Sequence, residues 1–108
     1  MQRIVLASAS PYRRELLSRL RLDFDSVPPP VDETALAGES PRVTARRLAQ
    51  AKASAVAALA PAALVIGSDQ VADLDGEPLN KPGCHAAALD QLQRLQGREA
   101  VFHTALCV

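Results

Sequence analysis

Aromatic side chains are almost missing from this sequence, which has one Tyr, two Phe and no Trp in 108 residues. Surfaces that stack single-stranded nucleic acid need several such rings, so a nucleic acid polymer is not an expected partner. Net charge is missing too, because twelve basic and twelve acidic residues cancel. Without an excess of one sign there is no global pull toward a polyanion or an anionic membrane. No apolar stretch approaches the roughly 20 residues of a membrane span. Ala7-Ser8-Ala9 imitates a signal-peptidase site, but the apolar run before it, Ile4-Val5-Leu6, is too short for a secretion signal. Cys84 and Cys107 form no CxxC pair and have no metal-like spacing with His85 or His103. Isolated cysteines of this kind read as reduced thiols. The expectation is a cytoplasmic protein with no membrane partner.

What is present is a chain 48% hydrophobic, with its core material mostly Ala, Leu and Val. Its length suits one domain over 1–108. The charges are unevenly placed: residues 1–54 hold nine Lys or Arg against six Asp or Glu, and residues 55–108 hold three against six. A basic half facing an acidic half suits a metal–phosphate site, although ordinary scatter accounts for it as well.

The spacing predicts an α/β domain. Arg3 to Ala7 reads as a short buried strand. Ser10-Pro11 then starts a helix, with the serine as cap and proline in the first turn. That helix runs to about Leu20, with Leu16, Leu17 and Leu20 on its apolar face. Phe24 to Val27 is a second strand, stopped by Pro28-Pro29-Pro30, and Val31 to Glu39 is a polar loop. Ser40-Pro41 repeats the helix start, and the second helix runs to about Leu59. Ala63 to Ile66 is a compact strand, with Gly67-Ser68-Asp69-Gln70 at or just past its end. Val71 to Leu74 resumes strand character, and Asp75-Gly76 signals a hairpin returning through Pro78-Leu79. After the loop Asn80-Lys81-Pro82-Gly83, a third helix spans His85 to about Gln96, closed by Gly97. Glu99 to Val108 is a final strand. The order β-α-β-α-β-β-α-β implies a mixed sheet flanked by helices. The last strand ends in Leu106-Cys107-Val108 with no polar terminus, so more sheet is expected to follow.

Several positions could carry chemistry, each with a plainer alternative. A strand followed by Ala7-Ser8-Ala9-Ser10 and a helix start presents free backbone N–H groups and a positive dipole end. Ser8 and Ser10 add hydroxyls, and Arg13 and Arg14 add forks suited to phosphate. The alternative is a capped helix with two solvated arginines, since the glycines of a Walker loop are lacking. Asp32 and Glu33 are adjacent carboxylates, suited to Mg²⁺ or Mn²⁺ or simply to a solvated turn. Lys52, among Ala49, Ala51 and Ala53, is either a surface residue or a charge aimed into a cleft. Asp69, at the end of a buried strand, is either a turn former or a carboxylate able to hold a metal or take a proton from water. Lys81 offers a further phosphate partner. His85 and His103 are expected to be structural.

The run Leu6-Ala7-Ser8-Ala9-Ser10-Pro11-Tyr12-Arg13-Arg14-Glu15-Leu16-Leu17 closely resembles the opening signature of the Maf family of nucleotide pyrophosphatases. So do Val31-Asp32-Glu33-Thr34, Gly38-Glu39-Ser40-Pro41, Arg47-Leu48-Ala49-Gln50-Ala51-Lys52-Ala53, Ile66-Gly67-Ser68-Asp69-Gln70-Val71 and Lys81-Pro82-Gly83. Their order and separations match over the whole sequence. The resemblance implies a Maf-like, ITPase-related twisted mixed sheet in a two-lobed fold, often dimeric. It implies cleavage of a nucleoside triphosphate between the α and β phosphates with a divalent cation, Mg²⁺ or Mn²⁺.

Carried over by position, Asp69 is the acceptor of the water's proton and, with Glu33, a metal-site carboxylate. Ser8, Arg13, Arg14, Lys52 and Lys81 bind phosphate. Asp69-Gln70, with an aromatic after Ser10-Pro11, resembles the members acting on 7-methyl-GTP rather than on dTTP or UTP. Tyr12 would stack on the methylated purine and Gln70 would read a base edge. Family members continue well past the strand ending at Val108, so residues 1–108 are expected to be an N-terminal portion. A non-catalytic nucleotide-binding or cell-division regulatory module, or a fragment that folds by edge pairing with another chain, are the competing expectations.

Overall fold

The computed structural model describes residues 2–79 and 84–108. Eight elements follow in the expected order: β1 (Ile4–Ala7), α1 (Pro11–Ser18), β2 (Asp25–Val27), α2 (Pro41–Leu59), β3 (Leu64–Leu74), β4 (Glu77–Leu79), α3 (His85–Leu95) and β5 (Val101–Cys107). Both Ser-Pro starts behave as caps. Ser10 Oγ accepts from the Arg13 N–H, and Ser40 Oγ accepts from the Val43 N–H, each at 3.3 Å. The hairpin between β3 and β4 turns on Asp75 and Gly76, with φ of 52° and 87°. Two consecutive positive φ values suit the right-handed twist of the strands it joins. Gly97, at φ 72°, follows the end of α3 as the sequence predicts.

The sheet is mixed. β1 pairs in parallel with β2 and β3, and β3 pairs antiparallel with β4 and β5. Gly67 pairs with Ala7 on one side and Cys107 on the other, while Ala72 pairs with both Leu79 and Phe102. So β5 runs along one edge of β3, and β1 and β4 share the other edge at its two ends. Between them residues 68–71 have no strand neighbour on that edge among the described residues. This notch holds Asp69 and Gln70.

Two expectations are corrected here. Asp69 does not sit at a strand end, because the segments read as separate strands form one continuous strand, β3. The physical reason is long-range pairing with β5 from Gly67 to Asp73, which overrides the locally polar Gly-Ser-Asp-Gln break. The first helix is also shorter than its leucine spacing suggests, and none of its residues is buried. Leu16 and Leu20 remain exposed, because α1 packs on the rest of the fold only lightly.

The core lies between α2 and one sheet face. Val5, Ala7, Val65, Ala53 and Val56 form it, with Ala45, Leu48 and Ala49 also buried. The alanines let α2 ride unusually low over β3. A Cβ placed on Gly67 would stand 2.2 Å from the Ala49 carbonyl oxygen and 2.7 Å from the Ala53 nitrogen. Gly67 is therefore required by close approach of backbone to backbone. Among the described residues, no helix is long and apolar enough to cross a membrane. Cys84 is exposed, Cys107 is half-buried, and both are free thiols.

Candidate active site

The close seating of α2 on β3 determines where Lys52 goes. Lys52 lies next to Ala53, one of the two α2 residues that approach Gly67 most closely, and is only 4% exposed. Its Nζ donates to Asp69 Oδ1 at 3.0 Å and pairs with Glu33 Oε1 at 2.6 Å. An ammonium taken out of water costs several kcal/mol unless it is paired, and here two carboxylates hold it. Lys52 is thus the cleft charge rather than the surface residue. Asp69 is 7% exposed and belongs to a strand, so the turn-former alternative does not apply. Lys52 engages Oδ1 of Asp69, which leaves Oδ2 for another partner.

The acidic pair in the loop divides its labour. Asp32 makes the turn: its Oδ1 accepts from the Thr34 N–H at 2.9 Å. Hydrogen bonds from Thr34 hold the Asp32 carboxyl below its ordinary value. Glu33, next to it, reaches Lys52. Glu33 and Asp69 therefore converge on one cation from two elements distant in sequence.

The serines after β1 are partly occupied in shaping their own loop. Ser8 is buried; its Oγ accepts from the Ser10 N–H at 3.0 Å, and its carbonyl accepts from Ser26 Oγ at 3.0 Å. Ser8 and Ser10 nonetheless line a recess of about 320 Å³ together with Arg13, Glu33 and Lys52. Arg13 and Glu33 also line a second recess of about 650 Å³ with Thr34, Asp69, Gln70 and Leu79. The two spaces meet at Arg13 and Glu33, near the N-terminus of α1, whose positive dipole end favours anions.

Not every predicted site residue joins this group. Arg14 lines a separate hollow with Glu15, Ser18 and Phe24 beyond the Ser8–Pro11 wall. Tyr12, 70% exposed, and Gln70 line an apolar recess of about 490 Å³ with Leu6, Leu17, Ile66 and Leu106. Arg13 borders that recess as well. Gln70 there lies directly opposite Thr104 of β5, a neighbour that the sequence order hides. Lys81 lies outside the described residues. His103 has a partner the sequence spacing did not reveal, with Nε2 3.0 Å from Asp73 Oδ2.

A second ionic cluster escaped the sequence reading. Arg47 Nε and Nη2 donate to Glu39 Oε2 and Oε1 at 2.6 and 3.0 Å. Glu39 Oε1 also accepts from Thr44 Oγ1 at 2.7 Å and from the Leu36 N–H at 3.1 Å. The Arg47 hydrogen bonds lower the Glu39 carboxyl from its ordinary 4.5 to about 2. The available signal was an acid just before a helix cap with an arginine two turns into that helix.

Two carboxylates are the groups here that could hold a divalent cation. Magnesium is commonly held by one or two carboxylates, with substrate phosphates and water completing its shell. Glu33 and Asp69 are two such carboxylates, both paired with Lys52 in this structure, and no three His, Cys, Asp or Glu side chains cluster among the described residues.

Comparison with known proteins gives the family. Residues 3–108 match the family described as Maf-like protein. The chain is 64% identical over 109 residues to a 7-methyl-GTP pyrophosphatase of Paraburkholderia xenovorans, covering 98% of this chain and 53% of that relative. It is 61% identical over 105 residues to one of Ralstonia nicotianae, covering 97% and 54%. It is 59% identical over 105 residues to one of Cupriavidus metallidurans, covering 97% and 53%. The chain spans about half the length of the curated relatives it matches. With a family match across nearly its full length, and a notch holding Lys52 between two carboxylates, this chain belongs to the Maf family.

Proposed function

We propose that the protein hydrolyses 7-methyl-GTP to 7-methyl-GMP and pyrophosphate. The observation that carries this reading is Lys52, buried between Asp69 and Glu33 and lining one of two recesses that share Arg13 and Glu33. Phosphoryl transfer is mostly positioning and charge stabilisation, so cations belong round the triphosphate and carboxylates round a metal. Arg13 and Lys52 hold phosphate oxygens, assisted by the Ser8–Ser10 loop, with Arg14 and Lys81 as further phosphate partners. Asp69 takes the proton of the attacking water as the bond between the α and β phosphates breaks and pyrophosphate leaves. A divalent cation, Mg²⁺ or Mn²⁺, held by Glu33 and Asp69, would neutralise charge developing on the phosphates.

The base enters the apolar recess beside Arg13. Tyr12 offers its ring to the methylated purine, whose positive charge strengthens attraction to a π face. Gln70 and Thr104, adjacent on neighbouring strands, present amide and hydroxyl groups to the base edge. The names of the relatives support this choice of base.

The test is pyrophosphate release from the 108-residue chain with 7-methyl-GTP and Mg²⁺ or Mn²⁺. Asp69→Asn is expected to lower the rate by roughly 10²- to 10⁴-fold, the usual weight of a general base. A clear preference for dTTP or UTP overturns the base assignment. Nucleotide-dependent thermal stabilisation without turnover replaces the enzyme with a binding module.

A further inference from the structure

Glu33 has a demanding position for a loop residue. Its side chain is 62% exposed, and it belongs to a stretch, 31–36, with no helix or strand. Still, its carboxylate meets the buried Lys52 Nζ at 2.6 Å. A flexible carboxylate in an open loop loses backbone and rotamer freedom on being fixed there, so neighbouring contacts must hold the loop.

The contacts that do so converge on the residues either side of Glu33. Asp32 Oδ1 accepts the Thr34 N–H at 2.9 Å and closes a turn around Glu33. Arg47 Nη2 donates to the Thr34 carbonyl at 3.1 Å, fixing the residue immediately after it. Arg47 is itself held by the two oxygens of Glu39, at 2.6 and 3.0 Å. Glu39 is anchored by Thr44 of α2 and by the Leu36 N–H further along the same loop. The Glu39 side chain is 6% exposed, which marks the pair as part of the packed structure rather than a solvated surface contact. Both Arg47 and Lys52 lie on α2, so one rigid helix ties the loop down twice, through Thr34 and through Glu33 itself.

We propose that Glu39 and Arg47 are positioning residues whose clamp on the Thr34 carbonyl sets Glu33 against Lys52. Neither residue lines the recesses that hold Asp69 and Lys52, so they act through Glu33. The proposal rests on the role of Glu33 as a metal-site carboxylate only for its functional consequence, not for its geometry. Lysine cannot replace Arg47, because three donations in two directions need the planar guanidinium fork.

The experiment uses the 108-residue chain with Arg47→Lys, and Glu39→Gln as the second variant should the first not fold. Retained β3 amide resonances establish the fold. The Glu33 side-chain carboxyl ¹³C resonance reports its place, with Lys52→Met marking the value for a Glu33 without its ammonium. The clamp variants are expected to move Glu33 toward that value and to speed Thr34 amide exchange at least tenfold. Free Mn²⁺ measured by electron paramagnetic resonance then reads metal affinity, expected to weaken by roughly 10- to 100-fold, as for other residues that orient a metal-binding group. A Glu33 resonance unchanged in folded Arg47→Lys overturns the proposal, whatever the rate of hydrolysis. If Glu33 shifts as expected while the parental chain neither binds Mn²⁺ nor releases pyrophosphate, the clamp stands and the metal-assisted reaction fails.

Discussion

Beneath α2, alternate side chains of the sheet are sealed: Val5, Ala7, Val65 and Asp69 are all under 10% exposed. On the opposite face Leu64, Phe102 and Leu106 stand 41, 62 and 72% exposed, although Leu6 and Ser68 are covered there. The strand β5 shows the contrast within one element, because His103, Ala105 and Cys107 are half-buried while Phe102, Thr104 and Leu106 are exposed. A strand presents successive residues to opposite faces, so one pairing register serves two environments. The sealed face carries the charged chemistry. The open face carries an apolar recess with two polar groups on its floor. Close packing is what holds a lysine against two carboxylates, whereas the open face keeps an unfilled hollow.

The largest effect should follow from breaking the seal. Gly67→Ala places a methyl group against the Ala49 carbonyl and the Ala53 backbone, so α2 must lift. Overpacking of this kind costs about 3 kcal/mol, which for a small domain is a fall of roughly 10 to 20 °C in Tm. The same displacement draws Lys52 away from Asp69, so nucleotide hydrolysis should fall along with stability. Calorimetry showing an unchanged Tm would mean that the helix seat is looser than its contacts describe.

A smaller change tests the clamp at the rim of that face. The Glu39 carboxyl is lowered from 4.5 to about 2 by the Arg47 hydrogen bonds. A lowered carboxyl contributes stability that is complete above the unfolded value and is lost as protons bind the folded state. Stability should therefore decline as pH falls from about 4.5 toward 2. In Glu39→Gln this part of the decline should disappear. Urea midpoints measured across that window decide it, and an identical slope in both chains removes Glu39 from the account.

Much of this architecture was legible locally. The Ser-Pro helix starts, the Asp75-Gly76 turn and the Gly97 stop each depend on a few adjacent residues, and each stands where the sequence places it. The continuity of β3 was not legible, since the strand partner of Ser68 to Gln70 arrives more than thirty residues later in β5. The same distance hid the pairing of Thr104 with Gln70 and of His103 with Asp73. Lys52, Asp69 and Glu33 could be nominated from residue type and spacing. That one lysine nitrogen bridges both acids depends on how low α2 rides, which Gly67 and the buried alanines determine together. The Glu39–Arg47 pairing went unread although both residues fall in runs that resemble the family, because an acid before a helix cap is common and nothing in the sequence says which cation two turns later meets it.

The smallest effect on stability should come from the open face, where the comparison is sharpest. Leu106 is 72% exposed, so Leu106→Ser removes little packing and should shift unfolding by no more than about 0.5 kcal/mol. Yet Leu106 lines the recess assigned to the base, beside Gln70 and Tyr12. A purine seated there covers the leucine, and losing part of that apolar contact should cost about 1 kcal/mol of affinity. The expected result is a roughly fivefold rise in KM for 7-methyl-GTP, with kcat and Tm nearly unchanged. Gly67→Ala should do the reverse, lowering Tm strongly. A large stability loss in Leu106→Ser would show that the open face is packed in solution, and an unmoved KM would place the base elsewhere than between Tyr12 and Thr104.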